Sequence, residues 1–144
     1  MNKRLGHLAI RAKDIEASAR FYCETLGFKE AFRMHNLEGG KLGCIYIYIA
    51  PSQFIEIFPN GIGEQNSDNI IGIKHICIEV ENITAFIEEI RAKGAPIDTE
   101  IKTGYSKCLQ FWTHDPDGNK IEFMELPPES LQAQANARIA KEMV

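Results

Sequence analysis

Two periodicities alternate along the chain. In "GHLAIRAKDIEASARFYCETLGFK", residues 6–29, apolar positions first alternate as in a strand. Ile15, Ala19, Tyr22 and Leu26 then recur at intervals of three and four, the spacing that gathers them on one helical face. Asp14 is placed to cap that helix, and Gly27 suits the left-handed position that ends it. "KHICIEVENITAFIEEIRAKGAPI", residues 74–97, repeats the plan, with Asn82 as cap, Ile83, Phe86, Ile87 and Ile90 as the apolar stripe, and Gly94 as the stop. Further strand-like runs follow each helix. They are "EAFRMHN", "LGCIYIYIA" and "QFIEIFP" in the first half, and "DTEIKT", "CLQFWTH" and "KIEFME" in the second.

The two halves align. His7 and His75 lie 68 positions apart, as do Ile10 and Ile78, Asp14 and Asn82, and Ile15 and Ile83; "FIEI" and "KIEF" align at an offset of 66, matching Glu56 to Glu122. Two copies are too few for a solenoid, and their natural product is a domain with pseudo-twofold symmetry. The expected fold is α+β, with two tandem βαβββ modules at 5–60 and 73–126 forming a curved mixed sheet. A Gly-, Asn- and Ser-rich linker at 61–72 joins them, and a helical tail at 127–144, with its helix over Glu129 to Met143, completes a single domain of residues 1–144.

The pattern has one anomaly, and it occurs twice. Successive strand side chains point to opposite faces, so Glu56 shares a face with Phe54 and Phe58, and Glu122 shares one with Met124. A single such glutamate reads most simply as an edge residue facing water. Burying an ionised carboxylate without a partner costs several kcal/mol or more, so two at matched positions point instead to a cation, a metal or a wet cleft. His7 and His75 supply the complement. Each stands on the polar side of its half's first strand, opposite Leu8 and Ile10 or Ile76 and Ile78. Two imidazoles and two carboxylates suit a divalent transition metal such as Ni, Co, Zn, Fe or Mn, with positions left for water or substrate.

Composition narrows the field without changing this picture. At 144 residues, 44% hydrophobic and 25% charged, the chain is globular. A net charge of −4 and the lack of any Lys/Arg run give no basis for nucleic-acid binding. No stretch approaches the roughly 20 apolar residues of a membrane span, and the N-terminus has no signal-peptide core, so the expected location is cytoplasmic. Cys23, Cys44, Cys77 and Cys108 are widely spaced, and are expected as reduced, packed thiols.

The paired modules, the four-residue His-Glu-His-Glu set and the stretches "FYCETLGF" and "DPDGNKIEFME" resemble the vicinal oxygen chelate superfamily, and within it the bacterial glyoxalase I enzymes, over residues 5–126. The resemblance implies one metal per site, Ni or Co ahead of Zn, Mn or Fe, held by His7, Glu56, His75 and Glu122. It also implies methylglyoxal detoxification. The hemithioacetal of methylglyoxal and glutathione becomes S-lactoylglutathione: a ligand carboxylate removes the proton from the thiol-bearing carbon, an enediolate forms, and the proton returns to the neighbouring carbon. Glu122 is favoured as that base, with Glu56 the alternative. Arg11 and Asn60 match glutathione-binding positions, Arg being suited to a carboxylate and Asn to peptide backbone. For a chain this short the resemblance also implies a homodimer, in which small family members build each metal site across the interface; the offsets here fit that arrangement and a site within one chain alike.

Relatives set the competing functions. Extradiol dioxygenases and fosfomycin-modifying thiol transferases typically use His-His-Glu, and methylmalonyl-CoA epimerase usually has Gln where Glu56 stands. The metal-free drug-binding branch lacks the ligands. All four positions are filled here, which favours the lyase. Outside that set, His114 is expected to cap or hydrogen-bond its hairpin and His35 to lie in a polar loop, and Phe54, Phe58, Phe111 and Trp112 pack in the core by default, with walling an apolar substrate pocket as the alternative.

Overall fold

The computed structural model describes residues 3–36, 39–64, 69 and 71–142. It falls into two compact units. One takes in the described residues up to Glu64 together with the turn Asp115–Gly118, and the other the described residues from Asn69 to His114 and from Asn119 to Glu142. Most of the expected 61–72 linker is described, but residues 65–68 and 70, like the Met143 end of the expected tail helix, lie outside the described residues.

In the first unit β1 (His7–Arg11) leads to α1 (Ile15–Arg20) and one π-helical turn (Phe21–Thr25). The strands β2 (Lys29–His35), β3 (Leu42–Ala50) and β4 (Gln53–Phe58) follow. The sheet order is β1-β4-β3-β2, with β1 parallel to β4 and β3 antiparallel to both of its neighbours. Asp14 caps α1 as expected, its Oδ1 accepting from the backbone N–H of Glu16 and Ala17 at 3.0 Å. Gly27 ends the helical stretch at φ 81°, where a side chain would be strained. Tyr22 and Leu26 on the helical side and Ile45, Ile47, Ile55 and Ile57 of the sheet are all buried. Burying each such side chain stabilises the unit by about 1.5–3 kcal/mol.

The second unit has the same strand order, β5-β8-β7-β6. Its elements are β5 (Ile76–Glu79), α2 (Ile83–Ala92), β6 (Thr99–Thr103), β7 (Leu109–His114), β8 (Lys120–Glu125) and α3 (Leu131–Glu142). Asn82 caps α2 through the N–H of Ala85, and the Glu125 carboxylate accepts from the N–H of Ile83. Ile83, Ile87 and Ile90 are buried, and Phe86 lies against Phe123, with ring centroids 4.6 Å apart. The α+β plan of two βαβββ modules and a C-terminal helix is thus the observed one, arranged as two four-stranded mixed sheets. No helix among the described residues is long and apolar enough to cross a membrane.

Two details differ from the sequence reading, and a third decides between its alternatives. His75 sits immediately before β5, which begins at Ile76. His35 is the exposed last residue of β2. Trp112 is half-buried and faces a hollow, because it lies opposite Glu122 in the β7–β8 register and so shares the carboxylate's face.

Candidate functional site

Within each unit the polar face of the sheet gathers one histidine and one glutamate. Ala9 is opposite Glu56, and His7, two residues back, is opposite Phe54, which puts the imidazole diagonal to the carboxylate on the same face. His7 Nε2 lies 3.4 Å from Glu56 Oε2, and His75 Nε2 lies 3.1 Å from Glu122 Oε2. Both glutamates are only 7% exposed, while both histidines stand at the rim. The twice-repeated anomaly therefore has one physical answer: each buried carboxylate has an imidazole partner within reach.

The donor chemistry fits a divalent metal. Two ligand atoms each about 2.1 Å from one ion stand roughly 3.0 Å apart at a right angle and roughly 3.4 Å apart at a tetrahedral angle. The observed separations match those edges. The structure brings the four predicted ligands together as two His–Glu pairs, and among the described residues no group of three or more His, Cys, Asp or Glu is placed to hold a metal.

The surroundings of the two pairs differ. Tyr46 is opposite Glu56 in register, edge-on to His7 at 5.7 Å, and stacked on Phe32 at 4.4 Å between ring centroids. Its phenol pKa is raised, first by desolvation and then by its hydrogen bond to Glu56. The Cys44 thiol is raised in the same way, by burial and then by the Glu56 charge. Around the second pair, Trp112 stands edge-on to His75 at 4.8 Å. Lys74, Thr99, Lys102 and Lys120 join them around a hollow of about 390 Å³. The Cys77 thiol, opposite Glu122, is pushed up to about 12 by partial desolvation and then by that carboxylate, so it stays protonated at neutral pH.

Arg11 donates from Nη1 to the Pro59 carbonyl at 2.8 Å and lies over the Phe58 ring. It also lines a small hollow of about 150 Å³ with Gly61, Ile62 and Lys13. Asn60 is exposed, with φ 63°. Its neighbour Gly61 is required by packing: a Cβ there would lie 2.8 Å from the Ala12 carbonyl carbon, and the Gly61 N–H donates to the Ala12 carbonyl at 2.8 Å. Arg11 and Asn60 thus flank one turn. His114 pairs through Nδ1 with both Asp98 carboxylate oxygens at 2.9 Å, which ties it to the residue before β6 rather than to its own β7–β8 hairpin as expected. The lysines of the second hollow were not singled out by sequence, although Lys120 lies two residues before Glu122 and shares its face by alternation.

Residues 4–123 match the Glyoxalase/Bleomycin resistance protein/Dioxygenase superfamily. The chain is 33% identical over 129 residues to the lactoylglutathione lyase of Salmonella typhimurium, covering 85% of this chain and 92% of that one. It is 28% identical over 131 residues to a probable chloroplastic lactoylglutathione lyase of Arabidopsis thaliana, covering 88% of this chain but 37% of the plant protein. This chain thus spans less than half the length of that relative. Among solved structures, a glyoxalase family protein from Enterococcus faecalis superposes with a TM-score of 0.73 at 26% identity, covering 85% of this chain and 98% of that one.

Proposed function

This chain belongs to the glyoxalase/bleomycin resistance protein/dioxygenase superfamily, and from that membership we propose that it is a metal-dependent lyase of the glyoxalase I type. The proposed substrate is the hemithioacetal of methylglyoxal and glutathione, and the product is S-lactoylglutathione. The observation that carries the proposal is the repeated pair, a rim imidazole 3.1–3.4 Å from a buried carboxylate in each module. The naming of relatives such as the Salmonella enzyme supports it.

In this reading His7, Glu56, His75 and Glu122 hold the metal, Ni or Co by preference, and a homodimer brings one pair from each chain to a common site. A bound metal would act as a Lewis acid toward negative charge developing on the substrate oxygens. Glu122 takes the proton from the thiol-bearing carbon and returns it to the neighbouring carbon, while the hydroxyl proton passes to the other oxygen. Product and adduct are therefore isomers, with nothing gained or lost. A carboxylate that is 7% exposed and 3.1 Å from His75 is placed to take up and return a proton with little interference from bulk water. Arg11 and Asn60 hold glutathione.

The test is thioester formation, followed by ultraviolet absorbance, with metal-stripped protein to which Ni, Co, Zn or Mn is returned. Turnover that depends on the added metal is the expected result. Stoichiometric metal binding with no turnover on methylglyoxal and glutathione would refute the lyase assignment.

A further inference from the structure

The aromatic residues around the first His–Glu pair are not interchangeable. Phe32, Tyr46 and Phe54 form a row of rings, with Phe32 and Tyr46 stacked at 4.4 Å and 17°, and Tyr46 edge-on to Phe54 at 6.1 Å. The two flanking rings are phenylalanines. Of the three, the middle one alone carries a hydroxyl, and it is the residue directly opposite Glu56 in the β3–β4 register. It also stands edge-on to the His7 ring, 5.7 Å away at 70°. Three neighbouring rings thus fix where the phenol points, and its hydroxyl hydrogen-bonds the Glu56 carboxylate. The second pair is built differently. Each carboxylate has a thiol beside it, Cys44 at Glu56 and Cys77 at Glu122, and a thiol is a weak donor. The register counterpart of Tyr46 is Trp112, which has no hydroxyl.

We propose that Tyr46 is a positioning residue of the first pair, its hydroxyl keeping the Glu56 carboxylate oriented for a divalent metal that Glu56 and His7 would share. This role rests on the metal site of the proposed lyase, not on the identity of its substrate. A donor that touches a ligand but not the metal restricts how that ligand can turn, and its loss typically costs about 10–100-fold in metal affinity or activity. A ring packed only for apolar contact would need no hydroxyl.

Metal affinity tests this without any need for turnover. Metal-stripped protein is titrated with cobalt in competition with a chromophoric chelator. Tyr46→Phe keeps the row of rings and removes the hydroxyl, and is expected to weaken cobalt binding about tenfold while the urea midpoint stays near that of the unaltered protein. A double-mutant cycle separates positioning from packing. In a Glu56→Ala background the hydroxyl has no carboxylate to hold, so Tyr46→Phe is expected to change cobalt affinity by less than about twofold. In a Glu122→Ala background the loss of about tenfold is expected to persist. Cobalt affinity unchanged in Tyr46→Phe, or a loss of the same size in the Glu56→Ala background, would overturn the proposal. Protein that binds no cobalt would remove the positioning role and the metal site together. Weaker cobalt binding in Tyr46→Phe, with no thioester formed by the unaltered protein, would keep the positioning role and remove the lyase reading. Metal-dependent turnover with unchanged affinity in Tyr46→Phe would do the reverse.

Discussion

The two sheets share a floor and differ in their walls. Tyr46 and Trp112 occupy the same register position, opposite Glu56 and Glu122. Phe32 opposes Tyr46 where Thr99 opposes Trp112, Met34 opposes Cys44 where Lys102 opposes Gln110, and Phe54 and Lys120 each precede the glutamate by two residues. The His–Glu pair is thus repeated while the residues around it change from aromatic and apolar to cationic. The repeated part is what metal and proton chemistry requires. The changed part is where two unlike ends of a substrate would be told apart, because a planar apolar wall and a lysine-lined wall reward different groups.

The largest expected effect tests whether the shared floor is also chemically equivalent. Glu122→Gln keeps a ligand oxygen but removes the base, and is expected to lower the rate of thioester formation by about 10²–10⁴-fold. Glu56→Gln is expected to lower it by roughly tenfold less than that, as a ligand without the proton-transfer role. Metal content of both variants separates lost binding from lost chemistry. Equal losses at equal metal content would make the two halves interchangeable and end the assignment of the base to Glu122.

A second contrast lies in the hairpin turns. The β3–β4 connection is the tight pair Pro51–Ser52, whereas the β7–β8 connection, Asp115–Asn119, is longer. Its first residue is buried to 1% exposure. Asp115 accepts from the Tyr22 hydroxyl and from the Asp117 N–H, each at 3.0 Å, and Asp117 in turn receives the Lys13 N–H. The phenol of Tyr22 is raised well above its usual pKa, by burial and then by the Asp115 charge, so it remains a donor at any working pH. Asp115→Ala would leave these donors unpaired in the interior and is expected to cost about 2–4 kcal/mol in urea denaturation. A cost below about 0.5 kcal/mol would reduce the turn to an ordinary surface loop.

These contrasts mark what the sequence could and could not reveal. Helices and strands were legible because periodicity and caps agreed: Asp14, Asn82, Gly27 and Gly94 each act where local chemistry predicts. The His–Glu pairs were legible because a carboxylate on a packed strand face is costly enough to demand a reason. Trp112 follows the pocket-wall alternative rather than the core default; aromatic character alone does not distinguish burial from lining, whereas its register opposite Glu122 does. The lysine cluster was not legible for another reason. Lys74, Lys102 and Lys120 stand on three different elements or their flanks, and only strand pairing brings them to one hollow.

The smallest effect concerns how helix and sheet are tied in each half. Arg33, on β2, reaches both Glu16 of α1 and Glu30 of its own strand, while Arg91, on α2, reaches Glu88 of its own helix and Glu100 of β6. The arginine has changed sides, but the fork is kept. In the first half the hydrogen bond from Arg33 holds the Glu30 carboxyl below its ordinary pKa. A lowered folded-state value means that the stabilisation is present above the unfolded value, about 4.3, and is lost as pH falls through the lowered one. The pair is over a third exposed, so water screens it and the contribution is under about 0.5 kcal/mol. Glu30→Gln is therefore expected to be less stable than the unaltered protein by that small amount at pH 6. The gap should close as the pH drops below 4. A gap of the same size at pH 3 would place the effect in packing and leave the charge of Glu30 without a role in joining the strand to the fork.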